Sequence, residues 1–196
     1  MKIYDISQEV FSCNVYPGDP LPLKKAISTM EKGDLYNLTE FSMCAHNGTH
    51  IDAPFHFFKE GKTVDNICLN TFIGLAYVAK WEGEILKDDA IKIIEKAKSI
   101  NLESAKRILI KGDIELTNDG AEIFAENKVL LLGTEGQSIS EKSTINVHKT
   151  LLGANVIILE GIRLKEVNEG VYFLNSAPLN LKGADGSPCR AVLIEQ

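Results

Sequence analysis

From about residue 72 onward, short β-rich apolar runs alternate with stretches of helical periodicity, and this alternation limits the chain to few architectures. The runs cover residues 72–79, 107–111, 129–133, 156–159 and 191–194. They are apolar on both faces rather than on every second residue, the pattern of strands covered on two sides. Between the first two, residues 88–97 place Ala90, Ile93, Ile94 and Ala97 at helical spacing, with Asp88 and Asp89 at the start, where acids suit the helix dipole. A shorter helix is expected over 120–125, and a third over 145–152 with Gly153 as its C-cap. Strands alternating with helices imply an α/β fold, a sheet with helices on its outside. Residues 1–70 read differently, as irregular and turn-rich, which argues against a plain doubly wound sheet. Tyr16-Pro17-Gly18-Asp19-Pro20 fixes a turn there, because proline presets one backbone angle and glycine permits the positive one that follows.

The chain has 196 residues, 44% of them hydrophobic and 24% charged, enough for one substantial core and too little for two full domains. Residues 1–196 are therefore read as a single domain. Acidic residues outnumber basic ones, 27 against 21, for a net charge of −6. Without a clustered Lys/Arg surface, neither a nucleic acid nor an anionic membrane is expected as a partner. A small-molecule substrate is. Cys13, Cys44, Cys68 and Cys189 are widely spaced and form no Cys-x-x-Cys pair, as expected of reduced thiols in a cytoplasmic protein. No run approaches the roughly 18 apolar residues of a membrane span, and no signal peptide is visible at the amino terminus.

Three of the four histidines fall in Cys44-Ala-His46-Asn-Gly-Thr-His50-Ile-Asp52-Ala-Pro-Phe-His56. All three and Asp52 have even numbers, so a straight strand would set them on one face but spread them over roughly 33 Å at about 3.3 Å per residue. One site requires a bend, and Gly48 and Pro54 are placed to supply it, gathering His46, His50 and Asp52 about one point. Two histidines and a carboxylate form a ligand set for zinc, manganese or iron. A nucleophilic triad built on Ser42, Thr49 or Cys44 lacks any Gly-x-Ser-x-Gly context. The fourth histidine, His148, sits on the third expected helix, and Glu160 ends the following strand. On local sequence alone Glu160 reads first as an ordinary strand-end surface acid, and His148 alone points no further.

The spacing His46-x-Gly48-Thr49-His50-x-Asp52-x-Pro54-x-His56 resembles the signature of the cyclase family, whose best-known members are bacterial kynurenine formamidases. The resemblance extends to Tyr4-Asp5-Ile6-Ser7 near the start and to Gly183-x-Asp185-Gly186-x-Pro188-x-Arg190 near the end. It implies a mixed β-sheet or barrel-like core with outer helices, a homodimer, and one or two divalent metals per chain, zinc first and manganese second. Carried over by position, it implies one metal on His46, His50 and Asp52. A second would sit on Asp52, His148 and Glu160, with His56 as the proton-transfer residue. Two departures bear on substrate: Glu135 stands where many relatives have Asp, and Lys111-Gly112-Asp113 where they commonly have Arg-Thr-Gly. Both segments are expected near the pocket.

A metal pair can polarise a carbonyl and lower the pKa of bound water, and an imidazole can protonate a departing nitrogen. The resulting expectation is a hydrolase of a small amide, an N-formyl arylamine such as N-formylkynurenine, with Phe55, Phe57, Phe58 and Trp81 as candidates for an apolar wall. Alternatives are a lactam or cyclic-imide ring-opening hydrolase, a dehydratase or ring-forming cyclase, and a non-catalytic metal or small-ligand binding protein.

Overall fold

A computed structural model of the protein describes residues 1–195. Its strands are β1 (Lys2–Asp5), β2 (Leu23–Ser28), β3 (Leu38–Ser42), β4 (His50–Asp52), β5 (Ile73–Lys80), β6 (Gly83–Ile85), β7 (Arg107–Lys111), β8 (Ile114–Leu116), β9 (Leu131–Thr134), β10 (Ile157–Glu160), β11 (Gly170–Asn175), β12 (Gly186–Pro188) and β13 (Val192–Glu195). Its helices are α1 (Lys87–Ile100), α2 (Asn118–Glu126) and α3 (Thr144–Gly153). Nine strands form one sheet in the order β1-β13-β11-β5-β7-β9-β10-β4-β12. β5, β7, β9 and β10 are parallel neighbours; the flanking pairs are antiparallel, so the sheet is mixed, as expected.

Chain connectivity forces this sheet to curl. β12 is one edge strand and β13 lies next to the other edge. In a flat sheet seven spacings would put them roughly 33 Å apart. The short link from Pro188 to Val192 reaches only about 14 Å when fully extended. The two ends of the sheet must approach each other, giving a half-barrel whose convex side carries the helices.

The apolar runs read as strands appear as β5, β7, β9, β10 and β13. β7 shows why they lack alternation: Ile108 and Ile110 pack under the helices while Leu109 faces the opposite cluster, and all three are fully buried. α1 buries Ala90, Ile93, Ile94 and Ala97, the i, i+3, i+4, i+7 stripe of an amphipathic helix. Gly153 is not the cap of α3. It closes the last turn, Ala154 is the cap residue, and the left-handed position is taken by Asn155 at φ +60°. The amides of Asn155 and Val156 then return to the carbonyls of Leu152 and Leu151, the paired bonds of a Schellman ending.

Residues 1–70, expected to be irregular, contain four strands. The turn at Tyr16 forms as read, with Gly18 at φ +100° and the Asp19 amide donating to Tyr16 O at 3.0 Å. β2 and β3 pair only with each other, and all but one of their residues are exposed, including Leu23, Ile27, Leu38 and Phe41. Among the described residues no helix is long and apolar enough to cross a membrane.

Candidate metal centre

Short-range geometry builds half of the site. β4 pairs with β10 so that His50 lies opposite Glu160 and Asp52 opposite Ile158. Side chains two apart on a strand and directly opposed across an antiparallel ladder share a face, which sets His50, Asp52 and Glu160 together on the helix-covered side. α3 packs over that face through Val147, Leu151 and Leu152 and delivers His148. His50 Nε2 stands 3.4 Å from both Asp52 Oδ1 and Glu160 Oε2. His148 Nε2 stands 3.5 Å from Asp52 Oδ2 and 3.3 Å from Glu160 Oε1. All four side chains are buried.

The bend expected at Gly48 is present. Its φ of +66° turns the chain into β4, and its missing side chain leaves room for Cys13, whose Cβ would lie 3.0 Å from a Cβ there. The turn carries His46 back over the site, with Nδ1 2.8 Å from Asp52 Oδ1. Beyond β4, Pro54 opens a single 3₁₀ turn, Pro54–His56, that brings His56 to the same cavity. Its ring centroid is 4.1 Å from that of His46. His46, Asp52 and His56 thus form one group of potential ligand atoms and His50, Asp52 and Glu160 another, sharing Asp52.

The second nitrogen of each buried histidine is held from behind. His50 Nδ1–H donates to Gly48 O at 3.0 Å and His148 Nδ1–H to Thr144 O at 2.7 Å. A carbonyl only accepts, so both rings keep their proton on Nδ1 and turn Nε2 toward the carboxylates. This is the arrangement metal-ligating histidines adopt. Electrostatics agree. Burial alone would drive protons off these rings, but hydrogen bonds and charge from Asp52 and Glu160 outweigh it and push His50 and His148 up to about 10. Burial likewise opposes a charged His46, and Asp185 and Asp52 together push it up to about 9. Despite its burial, Asp52 is held well below the usual carboxylate range by His148, His46 and His50. Without a cation the buried carboxylates keep protons on their histidines. A divalent ion would replace those protons, so the donor set fits a divalent metal.

The six residues expected from sequence all line one cavity of about 650 Å³, together with Tyr16, Gln137 and Asp185. Asp185 was not assigned a role from sequence, although it lies in the Gly183-x-Asp185-Gly186 segment. Its Oδ2 accepts from His46 Nε2 at 2.9 Å and from His56 Nδ1 at 3.2 Å. Other expectations are corrected. Glu135 and Lys111-Gly112-Asp113 do not line the cavity. Glu135 accepts the amides of Gly112 and Leu164 at 2.9 and 2.8 Å, and Lys111 Nζ donates to the carbonyls of Lys165 and Val167. They brace loops. Of the four aromatics only Phe57 reaches the cavity, because Phe58 and Trp81 pack on the core and Phe55 is exposed.

Comparison with known proteins places the chain in a family. The family profile described as Putative cyclase matches residues 4–141. A kynurenine formamidase of Bacillus cytotoxicus is 31% identical over 205 residues, covering 96% of this chain and 95% of the relative. A predicted metal-dependent hydrolase from Bacillus stearothermophilus superposes with a TM-score of 0.80 at 30% identity, over 98% of this chain and 97% of that one. Isatin hydrolase A from Labrenzia aggregata shares the fold, with a TM-score of 0.82 at 20% identity over 100% and 94% of the two chains. The profile match spans most of the chain, and the relatives align over nearly all of it. The chain belongs to the cyclase family.

Proposed function

We propose that this chain is a metal-dependent hydrolase of a small amide, with an N-formyl arylamine as its substrate class. The observation that carries the reading is His56: it shares the cavity of the metal donors, yet the buried His50, Asp52, His148 and Glu160 already surround a cation position without it. Simple metal storage has no use for such a group. The kynurenine formamidases among its relatives support the substrate class.

A divalent metal, zinc before manganese, would be held by His46, His50, Asp52, His148 and Glu160, where it supplies a Lewis acid for the carbonyl and a water of lowered pKa. The protein's own residues do the rest. His56, tied to Asp185 through Nδ1, keeps Nε2 for the proton that the departing nitrogen needs. As water oxygen bonds to the carbonyl carbon, the carbon–nitrogen bond breaks, and formate and a free arylamine result. Phe57, with its ring 4.7 Å from His56 and 5.2 Å from His148, offers an apolar face to an aryl group.

The exposed β2–β3 hairpin supports a homodimer, since a two-stranded hairpin is marginal alone and this one presents Leu23, Ile27, Leu38 and Phe41 to solvent. The free thiols Cys13, Cys44, Cys68 and Cys189 support a cytoplasmic location. The test is incubation of zinc- and manganese-loaded protein with N-formylkynurenine, isatin, cyclic imides and ester controls, with products followed by mass spectrometry. Release of formate from N-formylkynurenine is expected. Preference for a ring would move the substrate to lactams, and tight binding without cleavage would make the chain a binding protein.

A further inference from the structure

His46 precedes β4 and His56 follows it, yet both rings converge on a single carboxylate oxygen. We propose that Asp185 is a positioning residue that sets the tautomers of both histidines, taking the Nε2–H of His46 and the Nδ1–H of His56 on Oδ2. His46 Nδ1 is thereby turned toward Asp52, and His56 Nε2 is left for proton transfer. The role given to His56 rests on the hydrolase reading above; the tautomers themselves do not.

Sheet register places Asp185. Gly186 pairs with Asp52 across the β12–β4 ladder, and the Ala53 amide donates to Asp185 O at 2.9 Å, so residue 185 must stand beside the end of β4. Gly186 lets this segment press on His46, since a Cβ there would lie 2.6 Å from His46 Cε1. The comparison with the other two rings is instructive. His50 and His148 are each held by a backbone carbonyl deep in the protein. His46 and His56 are closer to water, where a carbonyl dipole competes poorly with solvent and a charged acceptor is the stronger hold. One oxygen serving both rings also ties their orientations together, and the two ring centroids lie 4.1 Å apart at an interplanar angle of 32°. A carboxylate that orients a histidine ligand commonly accounts for a 10- to 100-fold change in metal affinity.

The experiment is ¹⁵N NMR of the imidazole nitrogens in wild type and Asp185→Asn, metal-free and zinc-loaded, with zinc affinity and steady-state kinetics on the same samples. In zinc-loaded wild type, His56 should carry its proton on Nδ1 and His46 on Nε2. In Asp185→Asn the His56 pattern should become mixed, zinc binding should weaken roughly 10- to 100-fold, and kcat should fall about as far with KM nearly unchanged. Asp185→Glu should recover part of the wild-type spectrum. Unchanged tautomers and zinc affinity in Asp185→Asn overturn the assignment. If that variant does not fold, the wild-type spectrum decides alone, and an Nε2–H tautomer at His56 refutes it. Correct tautomers in a protein that cleaves no amide would leave Asp185 in place and remove the hydrolase reading instead.

Discussion

The two halves of the cavity are made from different material. The inner half, His50, Asp52, His148 and Glu160, comes from two paired strands and a helix, and its side chains are at most 4% exposed. The outer half, His46, His56 and Asp185, comes from a turn, a single 3₁₀ turn and the residue before β12, with side chains 13%, 30% and 42% exposed. Regular secondary structure holds atoms to the few tenths of an ångström that metal ligation requires. Turns at the cavity mouth leave a ring in contact with water, which a proton carrier needs. The inner half holds charge, while the outer half adds His46 to the donors and leaves His56 free to move protons, a division that follows from where each residue sits.

The inner half should be the harder to perturb without total loss. Asp52→Asn, nearly isosteric, removes the one carboxylate common to both ligand groups. Metal analysis should find neither position filled, and hydrolysis should drop to background. Glu160→Gln should lose the inner metal first. Full metal content in Asp52→Asn would break the comparison at its base. In the outer half, His56→Ala should retain its metal and lose roughly 10²- to 10⁴-fold in kcat, the range for a general acid or base. Loss of metal instead would make His56 a ligand like His46 and leave the outer half without a proton carrier.

A subtler variant examines how the halves are joined. In Gly186→Ala the new methyl would meet His46 Cε1 at 2.6 Å and the Ile51 carbonyl at 2.8 Å. Backbone angle does not forbid alanine there, as Gly186 is not among the positive-φ glycines. A small shift of β12 must relieve the Ile51 carbonyl, and the His46 ring should give way further. An overpacked contact of this kind costs about 1–3 kcal/mol, and turnover should fall on the order of tenfold while the inner metal stays. Equal loss of both metals would show that the halves move as one.

The same division explains what could be read without a structure. His46, His50, Asp52 and His56 lie within one short segment, so their residue types, with a glycine and a proline to bend the chain, announce the site. Glu160 is visible as the end of an apolar run, but its partner across the ladder is not, because strand register is set by packing rather than by local sequence. Asp185 shows the limit most clearly. It is 139 residues from His46 in sequence and reaches it only through the β4–β12 pairing. Glu135 misleads for the converse reason: an acid that braces a loop by accepting two amides has the same local sequence as one that lines a pocket. The curl of the sheet was legible only through the barrel-like core that the family resemblance implies, since it follows from β12 and β13 lying toward opposite ends of the strand order. The β2–β3 hairpin escaped because nearly all of it is exposed, with Phe41 and Lys24 resting on Phe11, so no core pattern marks it.

The smallest effect, and the one that sharpens the comparison furthest, is on stability against pH. In the metal-free protein His50 and His148 are pushed up to about 10 and His46 to about 9, from an ordinary value of 6.5. A group whose pKa is raised on folding contributes stability that is complete below its unfolded value and is lost as pH rises through its folded value. Asp52, held low, contributes in the opposite sense, with its share present above about pH 4 and lost below it. Metal-free protein should therefore be most stable between about pH 4 and 6.5, and its Tm should fall by several degrees as pH is raised toward 9. Zinc-loaded protein should lack this decline, because the cation replaces the protons facing Asp52 and Glu160 and binds more tightly as they leave. Calorimetry of the two forms in matched buffers should show the gap in Tm widening with pH. His148→Gln should flatten the metal-free curve more than His56→Ala, since only the former removes a histidine buried against the carboxylates. Parallel curves for metal-free and zinc-loaded protein would mean that the inner histidines hold no protons for the metal to displace.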